Sequence, residues 1–143
     1  MEKEIRRELI LSNYENPFHK RVPLDKNYLK VNSNNESCID NLDFYLLIED
    51  GKLLDVYFDG EACAISTSAT SMMLKNLVGK DIGEVKKILE NYQNMIFEKE
   101  YDQELLKELN AFNEIYLQPN RKTCALLPVK GILKALEEKG YGN

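Results

Sequence analysis

Hydrophobic and polar residues alternate over two neighbouring stretches of this chain. Leu42, Phe44, Leu46 and Ile48 alternate with Asp43, Tyr45, Leu47 and Glu49, and Leu54, Val56 and Phe58 alternate with Asp55, Tyr57 and Asp59. A period of two is the pattern of strands with one face buried. Asp50-Gly51 lies between them as a two-residue turn, so the pair predicts a β-hairpin. Elsewhere the period lengthens to that of helices. Residues 2 to 15 read as an amphipathic helix with Ile5, Leu9 and Tyr14 on one side, ending before Asn16-Pro17. Phe18 to Asp25 is a loop, and Tyr28 to Val31 a short edge strand. Ile65, Ala69, Met72, Met73 and Leu77 fall at helical spacing, with Gly79 just beyond the helix end. Asp81, followed three residues later by Glu84, opens a further helix from Ile82 to about Tyr92.

Leu105, Leu106, Leu109 and Phe112 form another apolar stripe, interrupted near Pro119, and a last helix runs to about Lys139 with Gly140 closing it. Pro128 has no N–H to donate and disfavours helical geometry at Leu127, so it is read as the first turn of that helix, with Cys124 in the loop before it. The sum is an α+β fold: a small antiparallel β-sheet of about three strands packed with helices, in one domain spanning residues 1–143.

Composition narrows the classes of function. The 143 residues are 43% hydrophobic and 30% charged, ordinary for a globular chain that buries one core. No apolar run approaches the length needed to cross a bilayer, and Met-Glu-Lys-Glu-Ile-Arg-Arg-Glu lacks the apolar centre of a signal peptide, which predicts a cytoplasmic protein. A net charge of −5 gives no basic footprint for nucleic acid or anionic lipid, so neither is expected as a partner.

The candidate chemistry lies in three cysteines. An odd number in a reducing compartment argues against a disulfide framework. Cys63, in Asp59-Gly60-Glu61-Ala62-Cys63-Ala64-Ile65-Ser66, falls between a strand and the start of a helix, where backbone N–H groups and the helix dipole favour a thiolate. Cys38 lies in the polar, turn-like run Asn34 to Asn41, and Cys124 follows Asn120-Arg121-Lys122-Thr123; neither reads as a core position in a regular element. Three thiolates and one carboxylate meet the count of a tetrahedral zinc site, and Asp40, two residues from Cys38, is the natural fourth donor. No Cys-x-x-Cys pair accompanies them, so spacing alone leaves inert, buried thiols as the alternative. His19, the one histidine, reads as a solvated loop residue rather than a catalytic base. The Ser/Thr run from Ser66 to Ser71 reads as small residues that permit close helix packing, and Met72 and Met73 as core.

These motifs together resemble the IscU/NifU family of iron–sulfur cluster assembly proteins. Asp59 to Ser66, continued by Ser68-Ala69-Thr70-Ser71-Met72-Met73, is similar to its second-cysteine motif, and Asn13-Tyr14-Glu15-Asn16-Pro17 resembles its opening helix and turn. Cys38-Ile39-Asp40 falls where the family has Cys-Gly-Asp, and Arg121 lies three residues ahead of Cys124 as expected for the third cysteine. A long connection from Cys63 to Cys124, Thr123 in place of a histidine, and the lack of a Pro-rich chaperone-recognition segment resemble the SufU branch.

The resemblance implies a metal held by Cys38, Asp40, Cys63 and Cys124, zinc in SufU proteins, with iron or an iron–sulfur cluster as the alternative. It implies sulfur transfer from a cysteine desulfurase, SufS-like, with Cys38 as the acceptor displaced from zinc, and downstream iron–sulfur assembly or acceptor proteins. The alternative it leaves open is a scaffold that builds and releases a cluster on the same residues. Arg121 would support the thiolates from behind. Two departures stand out. The loop Phe18 to Pro23 lacks the family's glycine-bearing turn. Ile39 replaces the family glycine, and a left-handed backbone there would displace Cys38 and Asp40 and weaken metal affinity.

Overall fold

The computed structural model describes residues 1–36 and 38–142; Ser37, inside the turn expected around Cys38, and Asn143 lie outside the described residues. Helix α1 (Lys3–Glu15) leads into a three-stranded antiparallel sheet, β1 (Leu29–Asn34), β2 (Asn41–Glu49) and β3 (Lys52–Glu61), in the order β1-β2-β3. Helices α2 (Ala64–Leu77) and α3 (Ile82–Ile96), the short α4 (Gln103–Leu106), two 3₁₀ turns (Lys107–Phe112 and Ile115–Leu117) and the long α5 (Pro119–Glu138) follow. This is the expected α+β arrangement.

The hairpin forms as its pattern dictates. Asp50 (φ 51°) and Gly51 (φ 73°) are both left-handed, the geometry that matches a two-residue turn to the strand twist. Leu42, Phe44, Leu46 and Ile48 are all buried. The register shifts once, however: Leu47 pairs with Asp55 and Ile48 with Leu53. Leu54 is the extra residue of this bulge, so Leu53 points into the core and Leu54 is 42% exposed, against the simple alternation of Leu54 with Val56 and Phe58. Strand β1 runs on to Asn34, three residues beyond the expected edge strand, and its outer carbonyls at Asn32 and Asn34 accept from Lys134 and Lys130 of α5. Lysines over an edge block pairing with another chain.

Helix α2 is the centre of the molecule. Every residue from Ser66 to Leu74 is buried, Met72 and Met73 among them. Its serines and threonines let neighbouring helices come close, and they bond locally: Ser68 to the Ala64 carbonyl, Thr70 to the Ser66 carbonyl. Helix α1 meets α2 through half-buried Leu9 and Ile10 and buried Asn13, whose side chain accepts from Ser71. Ile5 and Tyr14 are exposed, so the buried stripe is rotated from the one expected. The polar Asn13–Ser71 pair carries the contact, which a hydrophobic count does not register. Asp81 caps α3 by accepting from the Glu84 N–H, as expected, and the helix continues past Tyr92 to Ile96.

The C-terminal helix corrects the reading of Pro128. Pro119, not Pro128, occupies its first turn, and Cys124 is inside the helix and buried. A proline at the helix start loses nothing, because that N–H has no intrahelical partner. Pro128 inside the helix does leave the Cys124 carbonyl without its helical donor. Three hydroxyls from other elements turn toward this stretch: Ser66 to the Cys124 carbonyl (3.1 Å), Tyr92 to that of Ala125 (2.8 Å) and Ser33 to that of Leu127 (3.0 Å).

Gly131 brings α5 onto the sheet. A methyl group there would lie 2.6 Å from two ring carbons of the fully buried Phe44. Gly131→Ala is expected to lower stability by about 1–3 kcal/mol, the cost of overpacking a filled core. Urea unfolding checks it; an unchanged midpoint would show that Phe44 moves freely.

Candidate metal centre

Three separate pieces of chain converge at one end of the sheet. Cys38 and Asp40 lie on the turn joining β1 to β2, which closes through Asn35 N–H to the Asp40 carbonyl (2.9 Å) and Cys38 N–H to the Asn35 carbonyl (3.0 Å). Cys63 follows β3 and caps α2. Its extended backbone (φ −67°, ψ 170°) starts the helix, and its sulfur accepts from the Ser66 N–H at 3.5 Å. Cys124 comes from the second turn of α5. One ligand atom from each of these four residues lies within 4.8 Å of the other three.

Gly60 makes this junction possible. Its φ of 128° is closed to side-chain-bearing residues, and a methyl group there would lie 2.3 Å from the Asn41 carbonyl oxygen. The bare backbone lets the end of β3 run against the start of β2, which sets Cys63 beside Asp40.

The carboxylate is held firmly. Asp40 is 2% exposed; its Oδ1 accepts from the Cys63 N–H at 2.7 Å and its Oδ2 from the Ser66 hydroxyl at 2.5 Å. Burial alone would raise its pKa. Hydrogen bonds from Ser66, from the Cys63 N–H and from the Cys124 and Cys63 thiols outweigh that and hold it below the usual carboxylate range. The anion of Asp40 therefore persists to low pH. For Cys124 the balance falls the other way: burial first, then hydrogen bonds with Cys63 and Asp40, push its thiol up to about 12. At neutral pH that sulfur becomes a thiolate only when a cation arrives to take it.

Arg121 lies in the first turn of α5 and is exposed. A hydrogen bond to Cys124 and the charges of Cys63 and Cys124 raise its pKa further, so it stays a cation facing the sulfurs. Asn35 also reaches this side: its Nδ2 donates to Thr123 Oγ1 at 3.0 Å and lies 3.9 Å from Cys124 Sγ. Sequence reasoning missed Asn35 and Ser66. Nothing in a polar turn or a serine run distinguishes a residue that touches a ligand from one that does not.

Ile39 does not bring the distortion a left-handed backbone would cause. Among described residues the non-glycine positions with positive φ are His19, Asp50, Glu98 and Lys107, and Ile39 is 68% exposed beside the cluster. The left-handed residue is His19 (φ 53°), in the loop where the family's glycine-bearing turn is missing. Its side chain is half-buried rather than freely solvated: the ring stacks between Phe18 (3.9 Å) and Tyr57 (4.4 Å), and its Nδ1 lies 2.9 Å from the Val56 carbonyl. Stacking holds the loop on β3 and leaves the imidazole outside the cluster. A cavity of about 770 Å³ opens alongside, lined by Tyr14, Glu15, Lys20, Ile39 and Glu61 among others.

Sulfur and carboxylate donors at this spacing suit zinc, whose bonds to such atoms are about 2.0–2.3 Å, and thiolates equally suit iron–sulfur chemistry. The fold and site thus define a small α+β protein whose clustered thiols and carboxylate could hold a metal ion. The NifU-like N terminal domain family matches residues 5–138, and the chain belongs to that family. It is 31% identical over 138 residues to the zinc-dependent sulfurtransferase SufU of Bacillus subtilis, covering 96% of this chain and 92% of that protein. It is also 31% identical over 126 residues to the iron–sulfur cluster assembly scaffold protein IscU of Thermotoga maritima, covering 88% and 89%. A crystal structure of a putative SUF-system scaffold protein from Fervidobacterium islandicum superposes with a TM-score of 0.79 at 30% identity, over 92% of this chain and 96% of that one. No described helix is long and apolar enough to cross a membrane.

Proposed function

We propose that this protein is a zinc-dependent sulfur acceptor in iron–sulfur cluster assembly, with Cys38, Asp40, Cys63 and Cys124 as the metal ligands. The observation that carries the reading is the convergence of three thiols and one carboxylate within 4.8 Å from three pieces of chain. Likeness to SufU over 96% of the chain supports it. Zinc, when bound, supplies a charge that keeps the thiols deprotonated at neutral pH, so no histidine base is needed.

The three sulfurs are not equivalent. Cys124 is 1% exposed inside a helix, and Cys63 is fixed as the cap of α2. Cys38 and Cys63 are both half-buried, and of the two Cys38 lies on a turn rather than at a helix cap, so it can swing toward a partner's sulfur without disturbing a regular element. The proposed partner is a cysteine desulfurase carrying a persulfide. The Cys38 thiolate attacks the terminal sulfur, a new S–S bond forms, the donor's S–S bond breaks, and the donor cysteine leaves as a thiolate. One zero-valent sulfur changes hands with no net oxidation. Arg121 supports the negative charge near Cys124, and a downstream iron–sulfur assembly protein receives the sulfur.

Incubation with a desulfurase and cysteine, followed by mass mapping of alkylated peptides, is expected to find one added sulfur on Cys38. Persulfide confined to Cys63 or Cys124, or on none, would contradict the assignment. Likeness to IscU supports a second reading, a scaffold that assembles and releases a cluster on the same four residues.

A further inference from the structure

The Ser66 hydroxyl is fully buried and has one proton but two acceptors, Asp40 Oδ2 at 2.5 Å and the Cys124 carbonyl at 3.1 Å. The second acceptor is open for a particular reason. In an α-helix the N–H of residue 128 bonds to the carbonyl of residue 124, and here residue 128 is proline. A helix interior tolerates proline poorly, so its presence one turn after Cys124 is a local disadvantage that sequence propensity does not explain.

We propose that Ser66 is a two-position donor that orients Asp40 and, when that carboxylate turns to a cation, redirects its hydrogen bond to the Cys124 carbonyl that Pro128 keeps open. A buried hydroxyl without an acceptor is costly, so a carboxylate that served as the only acceptor could not leave Ser66 freely. With the second position, Asp40 exchanges between hydrogen bond and ligand while Ser66 stays satisfied in both states. Ser66 is thus a positioning residue, and one hydroxyl links the β1–β2 turn, the start of α2 and the second turn of α5. The inference rests on the metal-site reading for what Asp40 turns toward.

The test compares the full-length wild type with Ser66→Ala, Pro128→Ala and the double variant, measuring zinc affinity by competition with a chromophoric chelator. Ser66→Ala is expected to weaken zinc roughly 10–100-fold, as loss of a ligand's outer partner does. Pro128→Ala restores the helical N–H and is expected to raise the Tm yet weaken zinc about tenfold, the scale of one buried hydroxyl left short of an acceptor. In the Ser66→Ala background the Pro128→Ala effect on zinc should vanish, because no hydroxyl remains to use the carbonyl. The same loss in both backgrounds, or wild-type zinc affinity in Pro128→Ala, would overturn the proposal. Hydrogen exchange of zinc-free protein gives an independent readout: Ser66→Ala should speed exchange of the Cys63 amide that Asp40 accepts, while amides of β2 keep wild-type rates. An unchanged Cys63 rate would also overturn it. Failure of the wild type to take zinc at all would overturn the metal-site reading instead, and the Cys63 amide would still decide whether Ser66 holds Asp40.

Discussion

Alanine at any one of Cys38, Cys63 or Cys124 is expected to weaken zinc by more than the roughly 10–100-fold that loss of an outer hydrogen-bond partner costs, and to abolish stimulation of a cysteine desulfurase. The three sulfurs and Asp40 share one site with ligand atoms within 4.8 Å, so no sulfur has a substitute. The loss should differ in kind between positions. Cys38→Ala removes the proposed acceptor from an accessible turn and should leave the fold intact. Cys63→Ala also removes the cap of α2, which adds a stability cost of about 1 kcal/mol. His19→Ala is the control. Its ring packs on Phe18 and Tyr57, away from the sulfurs, so stimulation should persist. Desulfurase turnover with each variant checks these outcomes, and full stimulation by any cysteine variant would contradict a single shared site.

Gly60→Ala is expected to cost about 3 kcal/mol or more and to dismantle the site as it does so. A sparsely populated backbone conformation costs roughly 1–3 kcal/mol for a residue with a side chain. Here the added methyl also meets the Asn41 carbonyl oxygen at 2.3 Å, a backbone atom that cannot turn aside. Gly131→Ala, by contrast, meets a side chain, the Phe44 ring at 2.6 Å, rather than a backbone atom. Relief at Gly60 requires the end of β3 to separate from β2, which draws Cys63 away from Asp40 and breaks their 2.7 Å hydrogen bond. Chemical denaturation together with zinc affinity measures both effects. Wild-type values for both would show that the strand end has room this structure does not contain.

The sequence made some of this legible and hid the rest for physical reasons. Strict alternation around Asp50-Gly51 disclosed the hairpin because a buried sheet face constrains every second residue. It misplaced Leu54 because a bulge inserts one residue without changing composition. The place of Cys63 was readable, since a strand pattern ends and a helix pattern begins on either side of it. Cys124 falls in a loop on local sequence rules because a proline inside a helix is disfavoured and Pro128 reads as a helix start. The hydroxyl that answers the freed Cys124 carbonyl comes from Ser66, and those that reach the neighbouring carbonyls from Ser33 and Tyr92, all remote in sequence and invisible to a local reading. The four proposed ligands were named from chemistry and resemblance, whereas Ser66 and Asn35 needed three-dimensional proximity. His19 reads as solvated from its loop, but the stack it forms depends on Tyr57, far along the chain.

The most direct test of the zinc-site account is elemental analysis of untagged protein purified without oxygen, counting zinc, iron and acid-labile sulfide per chain. The account predicts roughly one zinc per chain, four-coordinate as in sites of this donor type, with no sulfide. Matched iron and sulfide would replace the sulfur acceptor with the scaffold reading, and folded protein containing neither metal would contradict the metal centre itself.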